Sequence, residues 1–130
     1  MELIAVLAGS ALGGMARFAL SNAVTRQLGE RFPWGTLAVN LSGALLIGIL
    51  AGAVLGQADA ATGDLGWHLA VVGFLGSYTT VSSFSLQTLA FMHDRKWRAA
   101  GLNIALSLGL CLGLAALGLV LGSQLAGRPA

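Results

Sequence analysis

The chain has 130 residues, 56% of them hydrophobic and 9% charged, and its mean hydropathy is +0.82. These values lie outside the range of a soluble domain this small and identify an integral membrane protein. A formal net charge of +2 argues against a nucleic-acid partner, and a single cysteine, Cys111, excludes an intrachain disulfide.

A chain of this length holds four spans of ~20 residues joined by short loops, with no room for a soluble domain. The hydrophobic runs predict an all-α membrane fold in one domain, 1–130, with spans at about 3–23, 36–55, 67–91 and 99–121. The first run has Glu2 where a signal peptide would carry basic residues, so it is expected to be a retained span. Gly9 and Gly13 sit four residues apart in it, a spacing that lets membrane helices approach closely. Arg17, within GGMARF, lies ~9 Å from the end of that span. Two readings fit it: a guanidinium snorkelling to the headgroups, or a vestibule that attracts anions.

The loop 25–35 carries Pro33 and Trp34, the latter at the interface, as befits an aromatic belt. The second span opens with Asn40, whose amide must find an interhelical partner or a permeating species. Ala44, Gly48, Gly52 and Gly56 continue it as a small-residue stripe. After the small, acidic loop 56–66 comes the most informative stretch, FLGSYTTVSSFSLQT at 74–88, with six Ser/Thr hydroxyls from Ser77 to Ser85. Hydrocarbon offers such groups no water, so they must be buried in protein or line a wet cavity.

Gly73 and Gly76, followed by Ser77 to Thr80, predict a helix break near the middle of the third span. A break frees carbonyl oxygens, which are hard ligands suited to Na⁺. Beyond it Val81, Phe84, Ser85 and Thr88 share a face, and the Phe84 ring edge carries partial positive charge that can approach an anion. The loop 92–98 is basic, with Trp97 at its membrane edge. In the fourth span Asn103, Ser107 and Cys111 recur every four residues as a polar track, and the glycine pairs Gly109 with Gly113 and Gly118 with Gly122 follow. His68 and His93 are expected at the interfaces. No span contains an Asp or Glu, and no constellation for a metal or nucleophile is evident, so the chain reads as a non-enzyme.

GGMARF, GTLAVNLSG and GFLGSYTTVSSFS, in this order and spacing, resemble the Fluc (CrcB) fluoride channels along nearly the whole chain. The resemblance implies a multi-pass protein of the bacterial cell (inner) membrane that exports fluoride passively. It also implies an antiparallel dimer in lipid, with two narrow pores and a central structural Na⁺. Carried over by motif, the carbonyls of Gly76 and Thr79 would hold the Na⁺, and Asn40, Thr80, Ser83 and Phe84 would line or support the fluoride path. Asn103 and Ser107 fall on the family's polar track, and Arg17 in a vestibule. The chain departs from the family pattern at Val81, usually Phe, at Gln87, usually Glu, and at Asn103, often Tyr.

The loops 25–35 and 92–98 hold Arg26, Arg31, Arg95, Lys96 and Arg98, which by the positive-inside rule would turn both termini outward. That asymmetry leaves open a homodimer or a heterodimer with an oppositely oriented paralogue. Two rival functions compete with this reading. A small proton-coupled multidrug transporter would want a carboxylate within a span, whereas the acids here sit at ends and in loops. A noncatalytic membrane assembly protein would use the glycine stripes and hydroxyls only as packing.

Overall fold

The computed structural model describes residues 1–54 and 64–127. Four helical stretches within them are long and apolar enough to cross a membrane: Glu2–Leu28, Trp34–Val54, Leu65–His93 and Trp97–Leu125. We label the elements α1 (Glu2–Leu28), α2 (Trp34–Val54), α3 (Leu65–Trp67), α4 (Gly76–Tyr78), α5 (Val81–His93) and α6 (Trp97–Leu125), with a π-helix, His68–Leu75, between α3 and α4. Gly56 of the small-residue stripe and residues 56–63 of the acidic loop lie outside the described residues.

The helices outrun the hydropathy boundaries. α1 continues past residue 23 through Thr25, Arg26 and Gln27, because a helix satisfies its own backbone and polar side chains at an interface do not stop it. It ends at Gly29, whose φ of 84° would strain any side-chain-bearing residue and whose N–H reaches Thr25 O at 2.8 Å. α2 starts two residues earlier than hydropathy suggests, since Pro33 needs no N–H partner and its carbonyl accepts from Leu37 at 3.0 Å.

Two glycine seams assemble the spans. The more extensive joins α2 to α6, where Gly48 and Gly52 lie against Gly118 and Gly122. A Cβ on Gly52 would sit 2.8 Å from the Ser123 nitrogen, and one on Gly118 would sit 2.9 Å from the Ile49 nitrogen. Backbone therefore touches backbone, the association expected where lipid supplies no hydrophobic force between helices. The second seam joins α1 to the π-helix through Gly9, Gly13 and Gly73, and a Cβ on Gly73 would meet Val6 O at 2.7 Å. Ser77 Oγ fastens this seam by donating to Ser10 O at 2.8 Å.

Between the seams Val39, Leu75 and Tyr78 form a small core, with Leu20, Leu50 and Phe74 packed on it. The Tyr78 hydroxyl pairs with Ser42 Oγ at 2.7 Å, so the one phenol of this core is not left unsatisfied. Gly109 and Gly113, which the sequence offers as another packing pair, have nothing within 4 Å of an added Cβ. Their spacing is right but no helix among the described residues lies over that face.

The third span is broken as its composition predicts, and the break falls at Thr79 and Thr80. Both are extended, at φ −75°, ψ 158° and φ −149°, ψ 120°. The eight-residue π-helix before the break, directly beneath α1, was not foreseen from sequence.

Candidate ion path

The break is held open by diverted hydrogen bonds. In an unbroken helix the Thr80 N–H would go to Gly76 O and the Ser83 N–H to Thr79 O. Here Thr80 N donates to Asn40 Oδ1 at 2.8 Å, and Ser83 N donates to Thr80 Oγ1 at 3.2 Å, capping α5. The Gly76 and Thr79 carbonyls are thereby among the four, with those of Ser77 and Tyr78, that lose their usual helical donors across the break.

Asn40 is the pivot of this arrangement. Its Nδ2 donates to Thr80 O at 2.8 Å while its Oδ1 accepts from Thr80 N, so the amide replaces the helical partner that the Thr80 N–H has lost and adds a second bond to the carbonyl that opens α5. The two bonds also fix the amide's orientation, because the opposite assignment would set donor against donor and acceptor against acceptor. One Nδ2 hydrogen remains for whatever enters the groove that Asn40 lines. The interhelical bond and the exposed donor, alternatives from sequence alone, coexist in one side chain.

That groove encloses about 410 Å³ along one side of the chain. Gly76, Thr79, Thr80, Val81, Phe84 and Ser107 line it together with Asn40. Val81 is 75% exposed there. A second pocket of about 410 Å³ lies on the other side of Thr80 and contains Arg17 beside Ser21, Asn22, Thr36 and Ser83. Arg17 thus joins Thr80 and Ser83 in a polar recess, while Phe84 and Ser107 belong to the groove. Ser21 and Asn22 escaped the sequence reading; their position one turn beyond Arg17, at i+4 and i+5, was the available signal.

Asn103 sits apart from both cavities. It is 2% exposed and donates from Nδ2 to Thr88 Oγ1 at 2.9 Å, and Thr88 donates in turn to Phe84 O at 2.8 Å. It therefore ties α6 to the helix that bears Phe84, while Ser107 and Cys111, one and two turns on, face the groove. Gln87 donates from Nε2 to Thr36 Oγ1 at 2.9 Å, and its Oε1 is the one buried side-chain oxygen or nitrogen without a partner among the described residues. Sequence reading had noted Gln87 only as a departure from pattern and had not singled out Thr36.

Comparison with known proteins supplies the remaining constraint. The family model described as "CrcB-like protein, Camphor Resistance (CrcB)" matches residues 4–119. A protein of Bradyrhizobium diazoefficiens named "Fluoride-specific ion channel FluC 2" is 47% identical over 125 residues, covering 96% of this chain and 91% of that one. Its namesake in Rhodopseudomonas palustris is 50% identical over 124 residues, 95% of each chain. "Fluoride-specific ion channel FluC 3" of Brucella suis is 49% identical over 111 residues, 84% of this chain and 82% of that one.

Proposed function

Because the chain belongs to the CrcB family, we propose that it is a fluoride-selective channel whose ion path follows the groove beside the broken third span. It is a multi-pass membrane protein of bacteria, and a channel, not an enzyme. Fluoride enters a cell from acidic surroundings as neutral HF and dissociates inside, where the membrane potential drives the anion outward by ~2.3 kcal/mol per 100 mV. A passive path therefore suffices for export and for lowering cytoplasmic fluoride.

The observation that carries the reading of the site is the double bond between Asn40 and Thr80. It fixes a neutral amide at the break with one N–H to spare, and selection of a small, strongly hydrated anion requires donors that replace water in a narrow passage. Ser107 adds a hydroxyl on the same wall, and the Phe84 ring can turn its positive edge to the ion. Arg17, with Ser21 and Asn22, draws anions into the recess behind Thr80 and Ser83. Asn103 works at one remove, holding Thr88 and through it the helix of Phe84.

The groove cannot face lipid as it stands. Backbone carbonyls released at a break are costly in hydrocarbon, so protein must cover them. A second copy of this chain, inserted the opposite way, would do so and set two breaks face to face; an oppositely oriented paralogue would serve equally. The carbonyls of Gly76 and Thr79 suit a Na⁺ at that meeting point, because they are hard oxygen ligands without helical donors. A cation there supplies charge that satisfies the carbonyls and holds the paired breaks together.

The test is efflux from liposomes containing the purified protein, with the potential set by a K⁺ ionophore. Fluoride is expected to leave rapidly and chloride far more slowly. Comparable release of both ions overturns the reading.

A further inference from the structure

The end of the bundle formed by the α1–α2 and α5–α6 loops carries charge that the fold does not use. The two loops abut, since the Phe32 ring stacks on Phe91 with centroids 6.1 Å apart and lies 4.7 Å from Trp34. Arg26, Arg31, Arg95 and Arg98 are all exposed there, and none is in an ion pair among the described residues. Lys96 is engaged, meeting Asp94 Oδ2 at 3.0 Å.

Local helix electrostatics accounts for only part of this placement: Arg26 lies in the last turn of α1, where the partially negative C-terminus favours a cation. Helix N-termini are partially positive and attract acidic residues, yet α2 and α6 begin at this end with no acid in their first turns, and Arg98 sits in the first turn of α6. Among the described residues Arg95 is moreover the one other than glycine with a left-handed backbone, at φ 59°, so a side chain occupies a conformation that would cost glycine less. Neither the helices nor the turn accounts for Arg95 and Arg98. Two tryptophans accompany them: Trp34 is 37% exposed and Trp97 61% exposed, the residue type that settles at headgroup depth. Exposed Leu28, Leu89, Met92 and Leu102 continue below as a surface for acyl chains.

We propose that this basic, tryptophan-edged end is a binding surface for anionic phospholipid, with guanidinium groups of Arg95 and Arg98, supported by Arg26 and Arg31, engaging the headgroup phosphate. Arginine suits the task because its planar fork bonds phosphate oxygens in pairs. The proposal rests on the membrane architecture and does not depend on which ion the chain conducts. Were the chains to pair antiparallel, each leaflet would hold one such surface.

Native mass spectrometry of the purified full-length protein, equilibrated with mixed phosphatidylglycerol and phosphatidylcholine, reads the binding directly and without fluoride present. Phosphatidylglycerol is expected to be retained in preference, one molecule per basic end. The double variant R95Q/R98Q should weaken that retention by about fivefold for each charge removed, whereas R95K/R98K, which keeps the charge and loses the paired bonds, should fall between it and the unaltered protein. Size-exclusion profile and thermal melting of R95Q/R98Q, matched to the unaltered protein, show that the variant is folded. Equal retention of the two lipids, or unchanged preference in R95Q/R98Q, overturns the proposal and means that the charges serve insertion alone.

Discussion

The two halves of α6 carry the same glycine spacing and do different things with it. In the second half, Gly118 and Gly122 lie so close to α2 that no side chain fits, and the seam is made of backbone. In the first half, Gly109 and Gly113 have open space in front of them, and the helix is tied to its neighbour by Asn103 on Thr88 instead. Small residues four apart permit close approach but do not name a partner; that depends on what the rest of the chain brings alongside. The contrast has a mechanical meaning as well. The dry seam fixes α6 against α2, while the polar half leaves room beside the broken span for a groove.

The strongest way to break the comparison is to fill both glycine pairs. Gly118→Val should force the two backbones apart and cost at least ~1 to 3 kcal/mol, seen as loss of folded protein on size-exclusion chromatography and in thermal melts. Gly113→Val meets nothing within the chain and should leave its fold intact. A Gly113→Val protein that folds but migrates as a monomer would sharpen the picture by revealing that face as a contact between copies. Equal tolerance at both positions would erase the distinction.

A smaller effect is expected from the polar side. Asn40→Ala removes both bonds to Thr80 and leaves the Thr80 N–H without its partner, worth ~1 to 3 kcal/mol when buried, while the Thr80 carbonyl keeps its helical donor. Asn40→Asp keeps the acceptor for Thr80 N–H but loses the donor to Thr80 O and any N–H for an anion. Both substitutions should lower fluoride efflux, and Asn40→Asp should do so even in protein whose melting is close to that of the unaltered chain. Unimpaired efflux from a well-folded Asn40→Asp protein would show that the amide clamps the break without meeting the ion.

Much of this arrangement was legible before any coordinates. The four spans follow from hydropathy, and the break follows from Gly73, Gly76 and the hydroxyls after them, because those residues compete locally with helical bonds. The family's motifs led to Asn40, Thr80 and Phe84. What sequence could not provide was the traffic of individual hydrogen bonds. Asn40 and Thr80 are forty positions apart, and nothing in a one-dimensional pattern says that one amide will take both backbone groups of one threonine. Asn103 was read with Ser107 and Cys111 as one face, and the helix rotates it onto Thr88 while the other two meet the groove. The π-helix has no compositional signature at all, since HLAVVGFL would serve equally as ordinary α-helix.

Val81 gives the mildest test, on the open side of the molecule. Its side chain is 75% exposed and lines the groove beside Phe84, so a ring placed there meets no wall of this chain, in contrast to any side chain added at the α2–α6 seam. Val81→Phe should therefore leave the stability of the single chain nearly unchanged. If the groove is the fluoride path, a second ring edge there adds a weakly positive surface for the anion, and such contacts are worth ~0.5 to 1 kcal/mol, a few-fold in rate at most. Efflux per folded assembly, counted by single-turnover dumping from liposomes, separates this gain from any change in yield. A modest rise would mean that the open half of the chain still has room to improve its path. Unchanged or reduced efflux from well-folded Val81→Phe protein would mean that this wall is already closed by a partner, and that the contact between copies limits what the groove can hold.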